Sequence, residues 1–248
     1  AGLEIGTLTL EPIAAINVLI PPTMRHLNLV LVDVGAGTSD VAVTRNGSVI
    51  GYGMVPTAGD EITEELSAQL LLDFKVAEAL KRRLGRNVKN LHYVDILGLK
   101  HTAPPADIIR NITAVVTELA QAIATQIMQL NNTVPQAILL VGGGALTPLL
   151  PEILAQIMDM PKDRVAVRRP DAIEDVYGVT ADFCTPDAVT PLGILKIAGA
   201  ETLNFLNVTL NGQSLRLFNL GGLTVGDALL AAGIDARSLS GRPGMGIT

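Results

Sequence analysis

The residues with the clearest capacity for chemistry lie in one short stretch, DVGAGTSD, at positions 33–40. Asp33 supplies a carboxylate that could hold Mg²⁺ or its water molecules. The glycine-rich step after it supplies backbone N–H groups that can wrap a phosphate, and a threonine adds a hydroxyl. The stretch therefore predicts a phosphate site, and its turn consists of Gly35, Ala36, Gly37 and Thr38.

This turn differs from the two standard nucleotide-binding fingerprints. In a P-loop or a Rossmann fold the glycines lead from a strand into a helix, whose N-terminus holds the phosphate. Here an apolar run at 27–34 precedes the glycines, and a second strand-like run at 41–43 follows them. No GxxxxGK[ST] pattern occurs. We therefore expect a tight hairpin with open amides. The alternative without function is a plain β-turn that starts with an Asp.

A second glycine cluster follows the apolar run AILLV, where Gly142, Gly143 and Gly144 precede a segment with helical character. Glycines allow a backbone to approach a flat ligand closely. The cluster is consistent with a turn whose backbone packs against a ligand. It is equally consistent with a tight strand-to-helix crossover that needs no ligand.

Charged side chains complete the set of candidates. One helical face carries Glu78, Lys81 and Arg82, because of their i, i+3 and i+4 spacing. These side chains could bind a ribose and contact an adenine. Glu11, which precedes Pro12, could orient a water molecule near a bound phosphate. The competing interpretations are a solvated helix end and an ordinary surface glutamate.

Strands and helices alternate around these residues, which predicts an α/β fold. Asn46 and Gly47 form a strong hairpin signal between two strand-like runs within 39–56. Further strands are predicted at 3–10, 27–34, 137–141 and, at an edge, 165–167; helices are predicted at 11–20, 60–85, 107–130, 149–158 and 191–200.

The composition restricts the function classes. Of 248 residues, 48% are hydrophobic and 17% are charged, and the mean hydropathy is +0.41, which allows a large core and some apolar surface for a partner. The net charge of −6 argues against a nucleic-acid surface. No run reaches the ~18 apolar residues of a membrane span. The single cysteine, Cys184, excludes an internal disulfide and indicates a reducing cytoplasm.

The character of the sequence changes after residue 200. A hairpin is predicted around Asn211 and Gly212, and a short helix is predicted within 224–234. This combination resembles the opening of a β-grasp (ubiquitin-like) unit, so 201–248 is predicted to be a partial β-grasp-like segment. An extension that packs on the main domain is the equal alternative. Because the chain begins with Ala rather than Met, we expect a piece of a longer protein.

The order of the motifs resembles the second half of the actin-like ATPases. These include DnaK-type chaperones, the rod-shape protein MreB, the cell-division protein FtsA and its pilus relative PilM. DVGAGTSD is similar to their second phosphate loop, GGGALTPLL to their adenosine motif and EALKRRLG to their ribose- and adenine-contacting helix. LEPIAA is similar to the Glu-Pro connecting helix of DnaK and MreB, and PDAVTPLG to the closing helix.

The resemblance covers roughly residues 1–200 and implies an actin-like (ribonuclease H-like) domain, with a mixed five-stranded sheet flanked by helices. It implies that 1–26 ends the first half and forms the connecting helix, and that 27–200 is the second half. ATP or ADP with Mg²⁺ would be the cofactors. The implied contacts are Asp33 to metal-bound water, Gly35 to Thr38 to the β- and γ-phosphates, Glu78, Lys81 and Arg82 to ribose and base, Gly142 to Gly144 to adenosine, and Glu11 to the attacking water.

Two departures from the family pattern stand out. Ala36 replaces the middle glycine of the usual loop, and its methyl group is tolerated only if φ stays negative there. The family also has an earlier phosphate hairpin, D-x-G-[ST], which this sequence lacks. We therefore expect the chain alone to bind nucleotide weakly and to hydrolyse it poorly.

The leading hypothesis is an FtsA-like assembly protein whose ATP state controls self-association or partner docking. Its partners would be further copies of itself, another cytoskeletal or division protein, and the missing first half. It would act in the cytoplasm, at the inner face of the membrane through a partner. The short region at 86–105 and the lack of a chaperone substrate domain favour FtsA over DnaK, whereas Glu11 favours DnaK or MreB. The alternatives are a pseudo-ATPase scaffold, a DnaK-like chaperone or reactivating factor, and a sugar or acetate kinase.

Overall fold

The computed structural model describes residues 9–24, 26–46, 48–86, 88–173, 176–199, 205–218, 224–232 and 234. The helices are α1 (Glu11–Leu19), α2 (Gly59–Leu70), α3 (Phe74–Leu84), α4 (Pro105–Asn131), α5 (Leu150–Ile157), α6 (Val189–Gly199) and α7 (Val225–Ala231). The strands are β1 (Leu29–Val34), β2 (Ser39–Arg45), β3 (Ser48–Val55), β4 (Leu91–Val94), β5 (Lys100–Ala103), β6 (Ala137–Val141), β7 (Val165–Val167), β8 (Phe205–Leu210) and β9 (Gln213–Phe218).

β1 lies at the centre of a five-stranded sheet with the strand order β3-β2-β1-β6-β7. β1 runs antiparallel to β2, which in turn runs antiparallel to the edge strand β3. On its other side β1 runs parallel to β6, which runs parallel to the edge strand β7. All six residues of β1 are buried, as expected from its nearly continuous apolar sequence. The sheet is mixed and flanked by helices, which confirms the predicted fold class.

The two faces of the sheet carry different helices. On one face β1 packs through Val30 and Val32 into a core that α2, α3, α4 and α5 complete. On the other face Leu31 and Leu29 pack with α1 and α6. Because side chains alternate along a strand, Asp33 lies on the same face as α1 and α6.

α1 and α6 make a very close helix–helix contact. A Cβ atom added to Gly193 in α6 would lie 2.4 Å from the carbonyl oxygen of Ala14 in α1, so only a glycine fits at this crossing. Seven of the nine residues of α1 are buried, in keeping with its apolar sequence. The short apolar helices predicted at 11–20 and 191–200 are thereby confirmed, although the second begins earlier, at Val189.

The continuous helix predicted over 60–85 is wrong, because the structure has two helices there. Leu71 adopts a left-handed conformation with φ of 51° and ends α2. Asp73 then begins α3 by accepting a hydrogen bond from the backbone N–H of Lys75. The periodic apolar residues continue across this break, so they concealed it. The 86–105 region contains the β4–β5 hairpin, which the sequence did not predict.

The other described elements agree with the sequence-based predictions. The long helix at 107–130 is α4, and the edge strand at 165–167 is β7. Asn46, with φ of 52°, forms the β2–β3 turn, and Gly47 lies outside the described residues. Residues 1–8, which carry most of the strand predicted at 3–10, also lie outside them.

The C-terminal part contains the predicted hairpin and short helix. β8 and β9 pair around Asn211 and Gly212, which have φ of 51° and 81°. α7 contacts both strands of this hairpin and also β3 of the large sheet. The assignment of 201–248 to a separate module stays a prediction. Among the described residues, no helix combines the length and the hydropathy needed to cross a bilayer.

Candidate functional site

The predicted phosphate loop is a tight turn between β1 and β2. The two strands pair in register as far as Asp33 with Asp40 and Val34 with Ser39. The N–H of Gly35 then donates to the carbonyl of Thr38 at 2.9 Å, which closes the turn. The three residues after Gly35 are exposed at its tip. The hairpin setting predicted from the sequence is therefore confirmed.

The backbone of this loop is held by the first residues of α2. The N–H of Gly59 donates to the carbonyl of Gly35 at 3.2 Å, and the N–H of Asp60 donates to the carbonyl of Ala36 at 2.7 Å. Ala36 is not among the described residues with positive φ, so its methyl group adds no backbone strain. Within the described residues, no acceptor pairs with the amides of residues 36–38. Such free amides suit an anion.

Asp33 is a buried carboxylate at the base of the loop, with 7% of its surface exposed. The hydroxyl of Thr190 in α6 donates to its Oδ2 at 2.5 Å. Burial raises the pKa of Asp33; the Thr190 hydrogen bond opposes this, and the carboxylates of Glu11, Asp40 and Asp187 add to it. Four acidic groups therefore lie at one end of the sheet, and no cationic side chain among the described residues pairs with Asp33.

This carboxylate environment fits a divalent cation. Carboxylate oxygens are the ligands that Mg²⁺ prefers, and a cation would offset the neighbouring negative charges, which add to the effect of burial on the pKa of Asp33. Across the described ranges, no group of three or more His, Cys, Asp or Glu side chains is arranged to hold a metal ion by itself. The arrangement suits a cation that shares its coordination with water and phosphate.

The second glycine cluster lies directly beside Asp33. β6 is parallel to β1, and Val141 pairs with Asp33, so the glycines follow at the same edge of the sheet. Gly142 has φ of 83°, and a Cβ there would lie 2.4 Å from Oδ1 of Asp33. Gly144 is equally confined, because its Cβ would lie 2.5 Å from Cγ1 of Val34. Both glycines are therefore required by packing.

Gly143 differs from its two neighbours. It is exposed, and an added Cβ would meet nothing within 4 Å. It begins a short 3-10 turn that runs to Leu146, before α5 starts at Leu150. The cluster therefore offers one open backbone position, at Gly143, for a flat ligand. The adenosine contact itself stays a prediction.

The three charged residues predicted on one helical face meet as expected on α3. Glu78 Oε2 lies 2.6 Å from Nζ of Lys81, and its Oε1 lies 2.8 Å from Nε of Arg82. Thr63 of α2 donates to the same carboxylate at 2.7 Å. Burial alone would raise the pKa of Glu78, but hydrogen bonds from Lys81, Thr63 and Arg82 outweigh it and lower that pKa to about 2.

The two cations of this cluster have very different surroundings. The side chain of Arg82 is 75% exposed, whereas that of Lys81 is 12% exposed. Lys81 reaches back to α2, where Nζ donates to the carbonyl of Gly59 at 2.8 Å and to the hydroxyl of Thr63 at 2.7 Å. Since Gly59 also bonds to the loop, α3 is connected to the phosphate loop through α2.

Glu11 lies at the first position of α1, exposed, and close enough to influence Asp33 electrostatically. Its charge also contributes to the raised pKa of Tyr52. The main cause of that shift is the hydrogen bond that Tyr52 donates to Asp40 at 2.7 Å, and the resulting pKa is about 12. Glu11 is therefore near the acidic end of the sheet, and its predicted role in orienting a water molecule stays a prediction.

Sequence reasoning missed two threonines of the site. Thr190 is 157 positions from Asp33, and no local pattern connects the two residues. Thr63 lies four residues after Gly59, on the turn of α2 that faces Lys81. The i, i+4 spacing from the helix start was the only available signal for it.

Comparisons with known proteins agree with this architecture. A sequence profile described as "Cell division protein FtsA" matches residues 30–193. FtsA of Bacillus subtilis is 26% identical over 207 residues, which cover 80% of this chain and 44% of that protein. FtsA of Pseudomonas aeruginosa is 24% identical over 230 residues, which cover 86% of this chain and 52% of that protein. The chain spans about half the length of these curated relatives.

Solved structures of three other proteins share the fold. The ethanolamine utilization protein EutJ from Carboxydothermus hydrogenoformans superposes with a TM-score of 0.54 at 24% identity, over 78% of this chain and 55% of that one. PilM in a PilM–PilN type IV pilus biogenesis complex superposes with a TM-score of 0.57 at 21% identity, over 79% of this chain and 54% of that one. MreB5 of Spiroplasma citri, solved with ADP, superposes with a TM-score of 0.53 at 17% identity, over 79% of this chain and 60% of that one. The chain, through the profile match over most of its length, belongs to the FtsA family of cell-division proteins.

Proposed function

We propose that this chain supplies the second half of an actin-like nucleotide switch that binds ATP or ADP with Mg²⁺. The nucleotide state would control self-association or the docking of a partner. The observation that carries the proposal is the loop at 35–38: α2 holds the carbonyls of Gly35 and Ala36, while the amides of residues 36–38 have no acceptor among the described residues. The Gly35 carbonyl of this loop lies close to Gly144 of the second glycine cluster and accepts from Gly59, whose own carbonyl accepts from Lys81.

Each predicted contact has a place in this proposal. The amides of the loop would hold the β- and γ-phosphates, and Asp33 would hold water molecules of the magnesium ion. Glu78 and the exposed Arg82 would face ribose and base, with Lys81 beside them. The glycines at 142–144 would back the adenosine, and Glu11 would orient the attacking water. Bound Mg²⁺ supplies charge neutralisation for the phosphates.

Two structural neighbours support the ligand and partner classes. MreB5 of Spiroplasma citri was solved with ADP, and PilM was solved in a complex with PilN. At 17% and 21% identity these proteins share only the fold with this chain, so nucleotide binding and partner docking are carried over as proposals. The partners would be further copies, another division protein, and a first actin-like half. The setting would be the cytoplasm, at the inner face of the membrane through a partner.

Calorimetry of Mg-ADP binding to the full-length gene product tests the proposal. We expect Asp33→Ala to weaken the binding of Mg-ADP by at least about tenfold, because metal-bound water loses its carboxylate acceptor. Asp163→Ala is the matched control, since Asp163 is exposed on a 3-10 turn away from the loop. Equal Mg-ADP affinity in Asp33→Ala and the wild type would contradict the site assignment.

A pseudo-ATPase scaffold is the second candidate, favoured by Ala36 at the loop tip, where the family pattern has a glycine. On this hypothesis the wild-type protein would assemble without any dependence on nucleotide. Sedimentation with and without Mg-ATP distinguishes the two candidates. A change in assembly with Mg-ATP supports the switch, and identical profiles support the scaffold.

A further inference from the structure

We propose that Thr190 is a positioning residue, which holds the Asp33 carboxylate in the orientation that receives the water molecules of the magnesium ion. The inference rests on the proposed nucleotide function, and the motif resemblance assigns no role to this threonine. It is carried by the contacts of the two Asp33 oxygens and by the acceptor that Thr190 uses at the start of α6.

The two carboxylate oxygens of Asp33 have different surroundings. Oδ2 accepts the hydroxyl proton of Thr190 at 2.5 Å, within the range of about 2.5–2.7 Å that is typical of hydroxyl–carboxylate hydrogen bonds. Among the described residues, no donor pairs with Oδ1. Gly142 leaves room beside Oδ1, since a Cβ atom there would lie 2.4 Å from it. Thr190 therefore occupies one oxygen and leaves the other for a ligand.

Thr190 uses a different acceptor from other helical threonines of this chain. Three threonines of α4 donate their hydroxyls to the carbonyl four residues earlier in the same helix: Thr113, Thr117 and Thr125. The corresponding carbonyl for Thr190 is that of Pro186, which accepts from the N–H of Gly142 at 3.1 Å. Thr190 donates instead to Asp33, 157 positions away. Because a hydroxyl has a single proton, the bond to Asp33 replaces the local one.

The start of α6 is fixed by further contacts. The bond between Pro186 and Gly142 joins the segment before α6 to the end of β6. One turn further along the helix, Gly193 packs against the carbonyl of Ala14 in α1. Thr190 itself is only 7% exposed. Its hydroxyl is therefore held rigidly beside the carboxylate, as is required of a residue that orients a metal ligand.

The effect of magnesium on ADP affinity separates positioning from packing. We would measure by calorimetry the affinity of the full-length gene product for Mg-ADP and for ADP in excess EDTA; their ratio is the magnesium enhancement. Thr190→Val removes the hydroxyl at nearly constant volume and is expected to lower this enhancement about tenfold. It should leave the ADP affinity in EDTA within about twofold, because the hydroxyl acts only through the carboxylate that binds the metal-bound water. Thr190→Ser keeps the hydroxyl and is expected to retain the wild-type enhancement.

A buried threonine outside the site supplies the control. Thr44 donates its hydroxyl to the carbonyl of Leu29 at the far end of β1, so Thr44→Val is expected to lower the melting temperature without changing the magnesium enhancement.

Two results would overturn the inference while the nucleotide function stands. The first is a Thr190→Val protein with a lower melting temperature and an unchanged enhancement, because the threonine would then serve packing alone. The second is a Thr190→Ser protein that has lost the enhancement, a result that can be read even where Thr190→Val does not fold. If the wild type binds ADP neither with magnesium nor without it, the proposed function falls together with this inference.

Discussion

Two carboxylates near the same loop, Asp33 and Glu78, have opposite environments. Asp33 is buried among other acidic groups, receives one hydroxyl hydrogen bond and has a raised pKa. Glu78 is paired with Lys81 and Arg82, and its pKa is lowered to about 2. The difference shows that Glu78 is already compensated by the protein. In the part of the chain that the structure describes, no cationic side chain pairs with Asp33, which is the state expected of a carboxylate that binds an external cation.

The two environments also differ in how they are built. The surroundings of Asp33 depend on backbone packing, with Gly142 pressed against its Oδ1. The surroundings of Glu78 depend on long side chains, which can move and be replaced. Substitutions near Asp33 should therefore act through steric conflict, and substitutions near Glu78 through lost charge pairing.

The largest expected effect is that of Gly142→Ala. The new Cβ would lie 2.4 Å from both Asp33 Oδ1 and the carbonyl of Val34, at a φ of 83° that side-chain residues rarely adopt. We expect the free energy of unfolding to fall by about 3 kcal/mol or more. Urea unfolding measures it. Gly143→Ala is the control, with an expected change below about 0.5 kcal/mol, because nothing lies within 4 Å of its Cβ. Equal effects at both glycines would contradict the packing argument.

Glu78→Gln is expected to have an intermediate effect that depends on pH. A carboxylate whose folded pKa is about 2 instead of 4.5 stabilises the fold above pH 4.5, and this contribution is lost as the pH falls from 4.5 towards 2. We expect Glu78→Gln to lower the unfolding free energy by about 2 kcal/mol at pH 6 and by less at pH 3. Glu64→Gln, at an exposed position of α2, should change stability little at either pH. A constant difference between pH 3 and pH 6 would show that the Glu78 charge is not the cause.

Asp33→Asn is expected to have the smallest effect on stability, and of opposite sign. It removes a buried charge while its amide oxygen can still accept from Thr190. We expect the unfolding free energy at pH 7 to rise by about 1 kcal/mol, while the affinity for Mg-ADP falls. Chemical unfolding and calorimetry measure the two changes, with Asp163→Asn as the exposed control. A less stable Asp33→Asn would contradict an uncompensated carboxylate.

Local patterns predicted the parts of the site that local geometry determines. The strand–turn–strand setting of the loop followed from the apolar runs on both sides of the glycines. The meeting of Glu78 with Lys81 and Arg82 followed from helical spacing. The parallel pairing of β1 with β6, which brings Gly142 beside Asp33, was not predicted beyond the mixed sheet that the resemblance implies.

Long-range contacts explain what the sequence could not predict. The acceptors of Lys81 lie on a neighbouring helix, and the partner of Asp33 lies on α6, so neither produces a periodic pattern. The break at Leu71 was hidden because apolar residues continue in helical period through it. The Asp73 cap was the signal that could have revealed it.

The hydrogen bond between Tyr52 and Asp40 makes the ultraviolet absorption of Tyr52 a probe of its surroundings. The sequence has three tyrosines and no tryptophan, so no indole emission covers the phenol signal. Tyr93 stacks on His101 in the β4–β5 hairpin, and Tyr177 is 89% exposed, whereas Tyr52 donates a hydrogen bond to Asp40 at the acidic end of the sheet. With a pKa of about 12, it stays protonated in ordinary buffers. A change in its ultraviolet absorption at neutral pH therefore reports on the electric field around Asp40 and its strand partner Asp33.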